Sequence, residues 1–276
     1  MPETRYARVS DEITLAYEEF GAPEGTPLLL IAGLGAQMIS WHAPLCELLA
    51  ERGLRPIRFD NRDAGLSTHM DRPYRLEDMA ADAAGLLGHL GLESAHVAGV
   101  SMGGMLAQAL AYEHPSRVRS LVSIMSTTGE RGVSEPTAEA REILMRSRAT
   151  TVGEAQESAV ESARVIGSPG LFDEERVRLL ARTAFERASD PDGYKRQLDS
   201  IYAARDRSER VREISAPTLV IHGELDPLIP VSAGRATAAA IDGAELVVIE
   251  GMGHDMPPPL WPRLADLIAT HVARNC

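Results

Sequence analysis

Within the 276 residues, Gly99-Val100-Ser101-Met102-Gly103 is the stretch whose residue types and spacing could do chemistry. A serine hydroxyl attacks a carbonyl only when it stands clear of its own backbone and has a base to take its proton. The flanking residues supply the first condition. Ala95 to Val100 is a short apolar run with the composition of a buried strand. Met102 to Glu113 carries good helix formers, with no breaker beyond Gly104 until His114-Pro115. Ser101 is therefore expected at a sharp strand-to-helix turn. Glycines two residues before and two after it let strand and helix approach, and the free N–H groups of a helix N-terminus lie beside its hydroxyl. The competing reading is a turn with no chemistry. Histidine is the side chain that most often serves as such a base, and His222, His254 and His271 lie well downstream. His254 follows Gly251-Met252-Gly253, just after the apolar run Leu246 to Ile249, which puts it on a loop at a strand's end. His222 closes the run Leu219 to Ile221 and reads as a structural hydrogen-bonder. His271 falls late in a terminal helix and reads as a surface residue.

The turn around Ser101 resembles the nucleophile elbow of the α/β-hydrolase family, in which nucleophile, acid and base follow one another along the chain. That resemblance implies Ser101 as nucleophile, Asp226 as the orienting acid and His254 as the base. Asp226 stands on the loop after the strand Thr218 to Ile221, four residues beyond His222. Glu224 on the same loop is the competing carboxylate, and Asp255 adjoins His254 too closely to reach its inner ring nitrogen. The resemblance also implies an oxyanion hole made by the backbone N–H groups of Met102 and Leu34, the latter on the loop after Leu28 to Ile31. Here the family often has His-Gly and this chain has Ala32-Gly33. The backbone donor survives, but a side chain that often ties the loop down is gone. A glycine-rich loop after a strand could instead cradle phosphate, but neither G-x-G-x-x-G nor G-K-[ST] is present.

These groups can meet only if the rest of the chain builds a sheet that brings the loops together. Arg5 to Val9 and Ile13 to Phe20 alternate as two antiparallel strands. Strands from Leu28, over Arg55 to Phe59 and over Val118 to Met125 then alternate with helices over Trp41 to Glu51 and Leu76 to Leu90, the pattern of a parallel sheet. Asp60-Asn61-Arg62-Asp63-Ala64-Gly65-Leu66-Ser67 resembles a family loop held by buried charge and is read as scaffold. From 127 to 214 the pattern turns wholly helical: Ala138 to Arg148, Val152 to Ile166, Asp173 to Ala188 and Tyr194 to Arg205. Strands at Thr218 to Ile221 and Glu245 to Ile249, with helices Ser232 to Ala240 and Leu260 to Ala273, complete the sheet and its cover. The expected fold class is α/β: an α/β-hydrolase fold whose mostly parallel sheet is flanked by helices, with a helical cap inserted after the sixth core strand. The expected division is a core of 1–126 and 215–276 and a cap of 127–214, its apolar lining including Phe172, Phe185, Tyr194 and Tyr202.

Composition bounds the function. With 28 Lys and Arg against 40 Asp and Glu, the net charge is −12, which argues against nucleic acid or an anionic membrane as partner. Cys46 and Cys276 give neither a disulfide framework nor a metal site, so no metal or organic cofactor is expected. No apolar run approaches membrane-spanning length and the first twenty residues lack a signal peptide's apolar core, so a cytoplasmic protein is expected. The expected activity is hydrolysis of a carboxylic ester of a small, mostly apolar molecule. The loop from Arg58 to Asp63 and Gly251-Met252-Gly253-His254 are similar to those of bacterial methylesterases that tailor aromatic polyketides, which implies a methyl ester of a bulky acid. Small esterases, lactonases and cofactor-free haloperoxidases share these motifs. A lactonase or perhydrolase on the same triad is therefore the alternative, and a non-catalytic binding protein of this fold the more distant one.

Overall fold

The computed structural model describes residues 2–146, 149–204 and 206–276. Among these, one sheet contains eight strands: β1 (Arg5–Arg8), β2 (Thr14–Glu19), β3 (Thr26–Ile31), β4 (Leu54–Phe59), β5 (Ala95–Val100), β6 (Val118–Ile124), β7 (Thr218–Gly223) and β8 (Glu245–Ile249). Three helices alternate with its first six strands: α1 (Ala43–Ala50), α2 (Leu76–His89) and α3 (Met102–Glu113). Five lie between β6 and β7: α4 (Ala138–Met145), α5 (Val152–Ile166), α6 (Glu174–Arg187), α7 (Pro191–Ala204) and α8 (Ser208–Val211). The last two are α9 (Val231–Ala240) and α10 (Trp261–Ala273). The helical insertion thus follows the sixth strand, as expected from the sequence. The expected helix ends at Arg148 and Arg205 lie outside the described residues.

Strand order is β1-β2-β4-β3-β5-β6-β7-β8, antiparallel at the β1–β2 and β2–β4 pairs and parallel from β4 onward. A parallel strand is covered on both faces, so β3 can be apolar throughout. Leu28 and Leu30 share a core with Trp41, Leu45 and Ile268 of the α1 and α10 side. Leu29 and Ile31 share the opposite one with Leu86 and Leu106 of α2 and α3. All four strand residues are fully buried. The direction of travel across the sheet reverses between β3 and β5, where Ile31 lies opposite Gly99. The loops leaving these two strands open the crevice in which such sheets hold ligands.

Two local readings are corrected. Trp41 precedes α1 rather than opening it: Met38–Ser40 forms a single 3₁₀ turn, and the helix begins at Ala43 with Pro44 in its first turn, where its missing N–H costs nothing. His271 is not a surface residue but only 6 % exposed, and its Nε2 donates to the Pro217 carbonyl at 3.2 Å. Its helix packs that face on the sheet, since His271 stands three residues beyond Ile268 and seven beyond Leu264, both buried.

Among the described residues no helix is long and apolar enough to cross a membrane.

His96 on β5 is fully buried, its Nδ1 against Ser120 Oγ at 2.8 Å, and burial pushes its pKa down to about 4 from 6.5. The unfolded chain therefore binds the extra proton between those values, and stability is lost as pH falls through that window. His96→Asn is expected to remove up to about 3 kcal/mol of that acid sensitivity. Melting curves at pH 7 and 4.5 check this; equal acid destabilisation in both proteins would contradict it.

Gly103 sits where α3 crosses the end of β3, and a Cβ there would lie 2.2 Å from the Ile31 carbonyl oxygen. Backbone cannot move aside cheaply. Gly103→Ala is expected to cost on the order of 3 kcal/mol and to lower Tm by roughly 6–12 °C. Gly153→Ala in α5, with nothing within 4 Å, should leave Tm unchanged or raise it. Equal Tm values for the two variants would contradict the close-approach argument.

Candidate active site

Ser101 takes φ 57° and ψ −121°, a region a residue with a Cβ enters only under constraint. The constraint is visible. Its N–H donates to the Ile124 carbonyl at 2.9 Å. Its own carbonyl accepts from Gly104 N, Met105 N and Ser126 Oγ at 2.9, 3.2 and 2.8 Å. A Cβ on Gly99 would lie 2.0 Å from the Gly103 oxygen, so the strand and helix meet at a distance only glycine allows.

The structure brings Ser101, His254 and Asp226 together from the ends of β5, β8 and β7. Ser101 Oγ is 3.0 Å from His254 Nε2, and His254 Nδ1 is 2.6 Å from Asp226 Oδ2. Asp226 is fixed by its own loop, since Oδ1 accepts the N–H groups of Leu228 and Ile229 at 2.9 and 2.8 Å. Its carboxylate is fully buried, with the second oxygen left for the histidine. His222 is also buried, its Nε2 donating to the Ile229 carbonyl at 2.8 Å and lying farther off, at 3.7 Å, from Asp226 Oδ2. Glu224 accepts from Gly251 N at 3.3 Å and stands at the surface. Asp255 bonds elsewhere too: its Oδ1 takes the N–H and the hydroxyl of Ser168, at 2.8 and 2.5 Å. Ser168 Oγ accepts from Gly253 N at 2.9 Å, and His254 N donates to Ile166 O at 2.6 Å, so the last residue of α5 and the segment after it grip the histidine loop. Nothing local in the sequence marked Ser168 for this.

Leu34 and Met102 both line the cavity beside Ser101. Met102 opens α3, so its N–H has no partner within the helix. Gly33 packs against the elbow, a Cβ there falling 3.4 Å from Ser101 Cβ. The Asp60–Ser67 loop is buried except at Leu66 and is held by many bonds, in keeping with a scaffold. Arg62 clasps both oxygens of Asp82 at 2.7 and 2.6 Å, and Asn61 Nδ2 donates to the Ala32 carbonyl at 3.1 Å. Asp60 accepts from Met38 N and Leu66 N and pairs with Arg187 at 2.6 Å. Burial raises its pKa, against the pull of Arg187. Asp63 receives Arg196 on both oxygens, each at 2.9 Å. Those two arginines belong to α6 and α7, which sequence reading did not connect to the loop.

Above the site, α4 to α7 and the loops after β3 and β6 enclose a cavity of about 1160 Å³. Ala155, Ser158, Ala159 and Ser162 of α5 and Ala181 and Ala184 of α6 line it with small side chains, which is why it is large. Phe185, Tyr194 and Tyr202 reach it, as expected. Phe172 is not among its lining residues; it is 37 % exposed beneath the Arg164 guanidinium, 5.3 Å from its ring centre. The wall is also more polar than expected. Arg176 donates to His42 Nε2 at 3.0 Å, and burial together with Arg176 pushes the His42 pKa down to about 4, so that the ring stays neutral. Asp63, His69 and Asp190 lie close enough to offer ligands to a cation. Arg196 already bonds both aspartates there, and His69 Nδ1 lies 2.7 Å from Asp190.

A hydroxyl beside an imidazole, with a carboxylate on the far nitrogen and two backbone N–H groups nearby, can open an acyl bond without a cofactor. Comparison with known proteins agrees with this chemistry. A family model described as alpha/beta hydrolase fold matches residues 26–257. The chain is 32% identical to the rhodomycin D methylesterase DauP of a Streptomyces species, over 95% of each chain, so the resemblance to methylesterases holds. It is similar in structure to the enol-lactonase of Burkholderia xenovorans, with a TM-score of 0.77 and 25% identity over 98% of both chains. A 2-hydroxy-6-oxo-6-phenylhexa-2,4-dienoate hydrolase from a Rhodococcus species, at TM-score 0.82, 20% identity and 99% of both chains, shares the fold.

Proposed function

The chain belongs to the α/β-hydrolase family, and on that premise we propose that it is a serine ester hydrolase working through an acyl-enzyme on Ser101. The observation that carries this reading is the pair of contacts, 3.0 and 2.6 Å, that joins Ser101 to His254 and His254 to Asp226 at the floor of the cavity. Ser101 Oγ attacks the ester carbonyl carbon as its proton passes to His254 Nε2. The carbonyl's electron pair moves onto oxygen, where the N–H groups of Leu34 and Met102 receive the charge. Collapse expels the alcohol, which takes the proton from His254. Water then repeats the sequence on the acyl-enzyme and frees the acid. Asp226 holds the imidazole in the tautomer that leaves Nε2 free to accept, and it stabilises the imidazolium that forms.

Residues 127–214 act as a cap that encloses the substrate. The acid portion is bulky and largely apolar, esterified to a small alcohol. Supporting this, the cavity far exceeds what an acetyl or butyryl group fills, and the relative named above is a methylesterase. A lactone is the second reading, favoured by the likeness to an enol-lactonase; there the expelled alcohol stays tethered to the acyl group. The enzyme is read as acting on small molecules, since a net charge of −12 disfavours polyanionic partners. Specificity constants for methyl esters of polycyclic aromatic acids, measured against p-nitrophenyl acetate and butyrate, test the substrate class. A preference for the bulky acids is expected; a preference for the short acyl groups would reject it.

A further inference from the structure

We infer that Gln197, a residue of α7, is a positioning residue that holds the oxyanion loop in place. The loop after β3 departs from the family pattern at Ala32, so a tether often present there is missing. The structure supplies others. Asn61 holds the loop's entry through the Ala32 carbonyl. The turn itself is closed by Ala36 N donating to Gly33 O at 3.2 Å, with Leu34 and Gly35 at its centre and Gly35 at φ 63°. The N–H of Gly35, next along the chain from the Leu34 donor, is bonded from outside the loop. It donates to Gln197 Oε1 at 2.8 Å, and Gln197 Nε2 donates to the Arg62 carbonyl at 2.7 Å.

Both ends of this bridge are determined. A backbone N–H needs an acceptor and a carbonyl needs a donor, so the amide can lie only one way round. Its anchor is rigid, because Arg62 is fastened to Asp82 by two bonds and to the Asp78 carbonyl by a third, at 3.1 Å. Gln197 is fully buried, so removing its amide leaves two backbone groups without partners. An oxyanion donor contributes fully only when fixed where the charge develops, and a small displacement costs turnover more than binding. A helix of the cap is thus a structural part of the catalytic floor, even for a substrate too small to touch the cap.

This inference rests on the reading of Leu34 as an oxyanion donor. The test substrate is p-nitrophenyl acetate, which should not reach the cap. Gln197→Met keeps the volume and loses both bonds; it is expected to lower kcat about 10- to 100-fold while KM stays within about 3-fold. Gln197→Glu keeps an acceptor for Gly35 and should fall between wild type and Gln197→Met. Phenylboronic acid supplies a readout that a merely structural role would not move. Ser101 Oγ forms one B–O bond as its O–H bond breaks and the proton passes to His254 Nε2; nothing leaves the boron, and a boron hydroxyl takes the oxyanion's place. Its inhibition constant should rise in Gln197→Met by a factor that matches the loss in kcat/KM. If wild type depends on Ser101 but Gln197→Met keeps wild-type kcat, or loses kcat with boronate affinity unchanged, the inference fails and the proposed function stands. If Gln197→Met does not fold, wild-type kcat and boronate affinity in Gln197→Glu, with its altered bridge, would likewise overturn it. An active Ser101→Ala protein would mean that the proposed function itself had failed.

Discussion

Replacing Ser101 with alanine is expected to lower ester turnover by on the order of 10⁴- to 10⁶-fold, with little change in melting temperature. The size follows from what is removed. Without Oγ no acyl-enzyme forms, and only water positioned by the remaining groups can attack. The oxyanion donors and the cavity survive, which is why some catalysis over water remains. Stability should hold because the hydroxyl's bond in the resting protein is to His254, whereas the strained elbow is held through the backbone bonds of residue 101. His254→Ala should fall nearly as far, because nucleophile and base act as a unit. His222→Ala should retain the acylation chemistry, since that ring serves the Ile229 carbonyl. Steady-state kinetics on one chromogenic ester, with melting curves alongside, check all three. Turnover within about tenfold of wild type in Ser101→Ala would contradict the mechanism.

Asp226→Asn should cost on the order of 10⁴-fold in kcat while leaving the fold intact. The neighbouring backbone decides how the new amide sits. Leu228 N–H and Ile229 N–H both donate to the Oδ1 position, so the asparagine oxygen must lie there. Its NH₂ then faces His254 Nδ1. That nitrogen must accept, which places the ring proton on Nε2 and leaves nothing to take the proton of Ser101. Glu224→Gln, at the exposed edge of the same loop, should change kcat less than about twofold. A harmless Asp226→Asn beside an inactive Glu224→Gln would reverse the assignment of the acid.

How much of this the sequence disclosed depended on whether the signal was local. The elbow was legible because strand, glycines, serine and helix lie within about two dozen residues and each constrains the next. His254 and Asp226 followed from chain order, since each stands just beyond an apolar strand. What holds these groups was not legible. Gln197 is one glutamine in an amphipathic helix, and its partners Gly35 and Arg62 stand 162 and 135 residues away. Arg187 and Arg196 look like surface charges of the helical insertion until the fold sets them against Asp60 and Asp63. Ser168 and Asp255, which together brace the histidine loop, are ordinary polar residues in sequence. Phe172 was expected at the cavity and misses it, because it stands in the loop between α5 and α6, whose course no helical periodicity fixes, and lies under Arg164 instead. Substrate preference was the least legible, since it depends on how the faces of α5 and α6 pack to leave the cavity between them.

Covalent labelling with a fluorophosphonate tests the central claim most directly. The phosphonyl group is expected to add one label per chain, lost in Ser101→Ala and strongly slowed in His254→Ala, with peptide mass mapping placing it on Ser101. A label on another residue, or labelling undiminished in Ser101→Ala, would contradict the account.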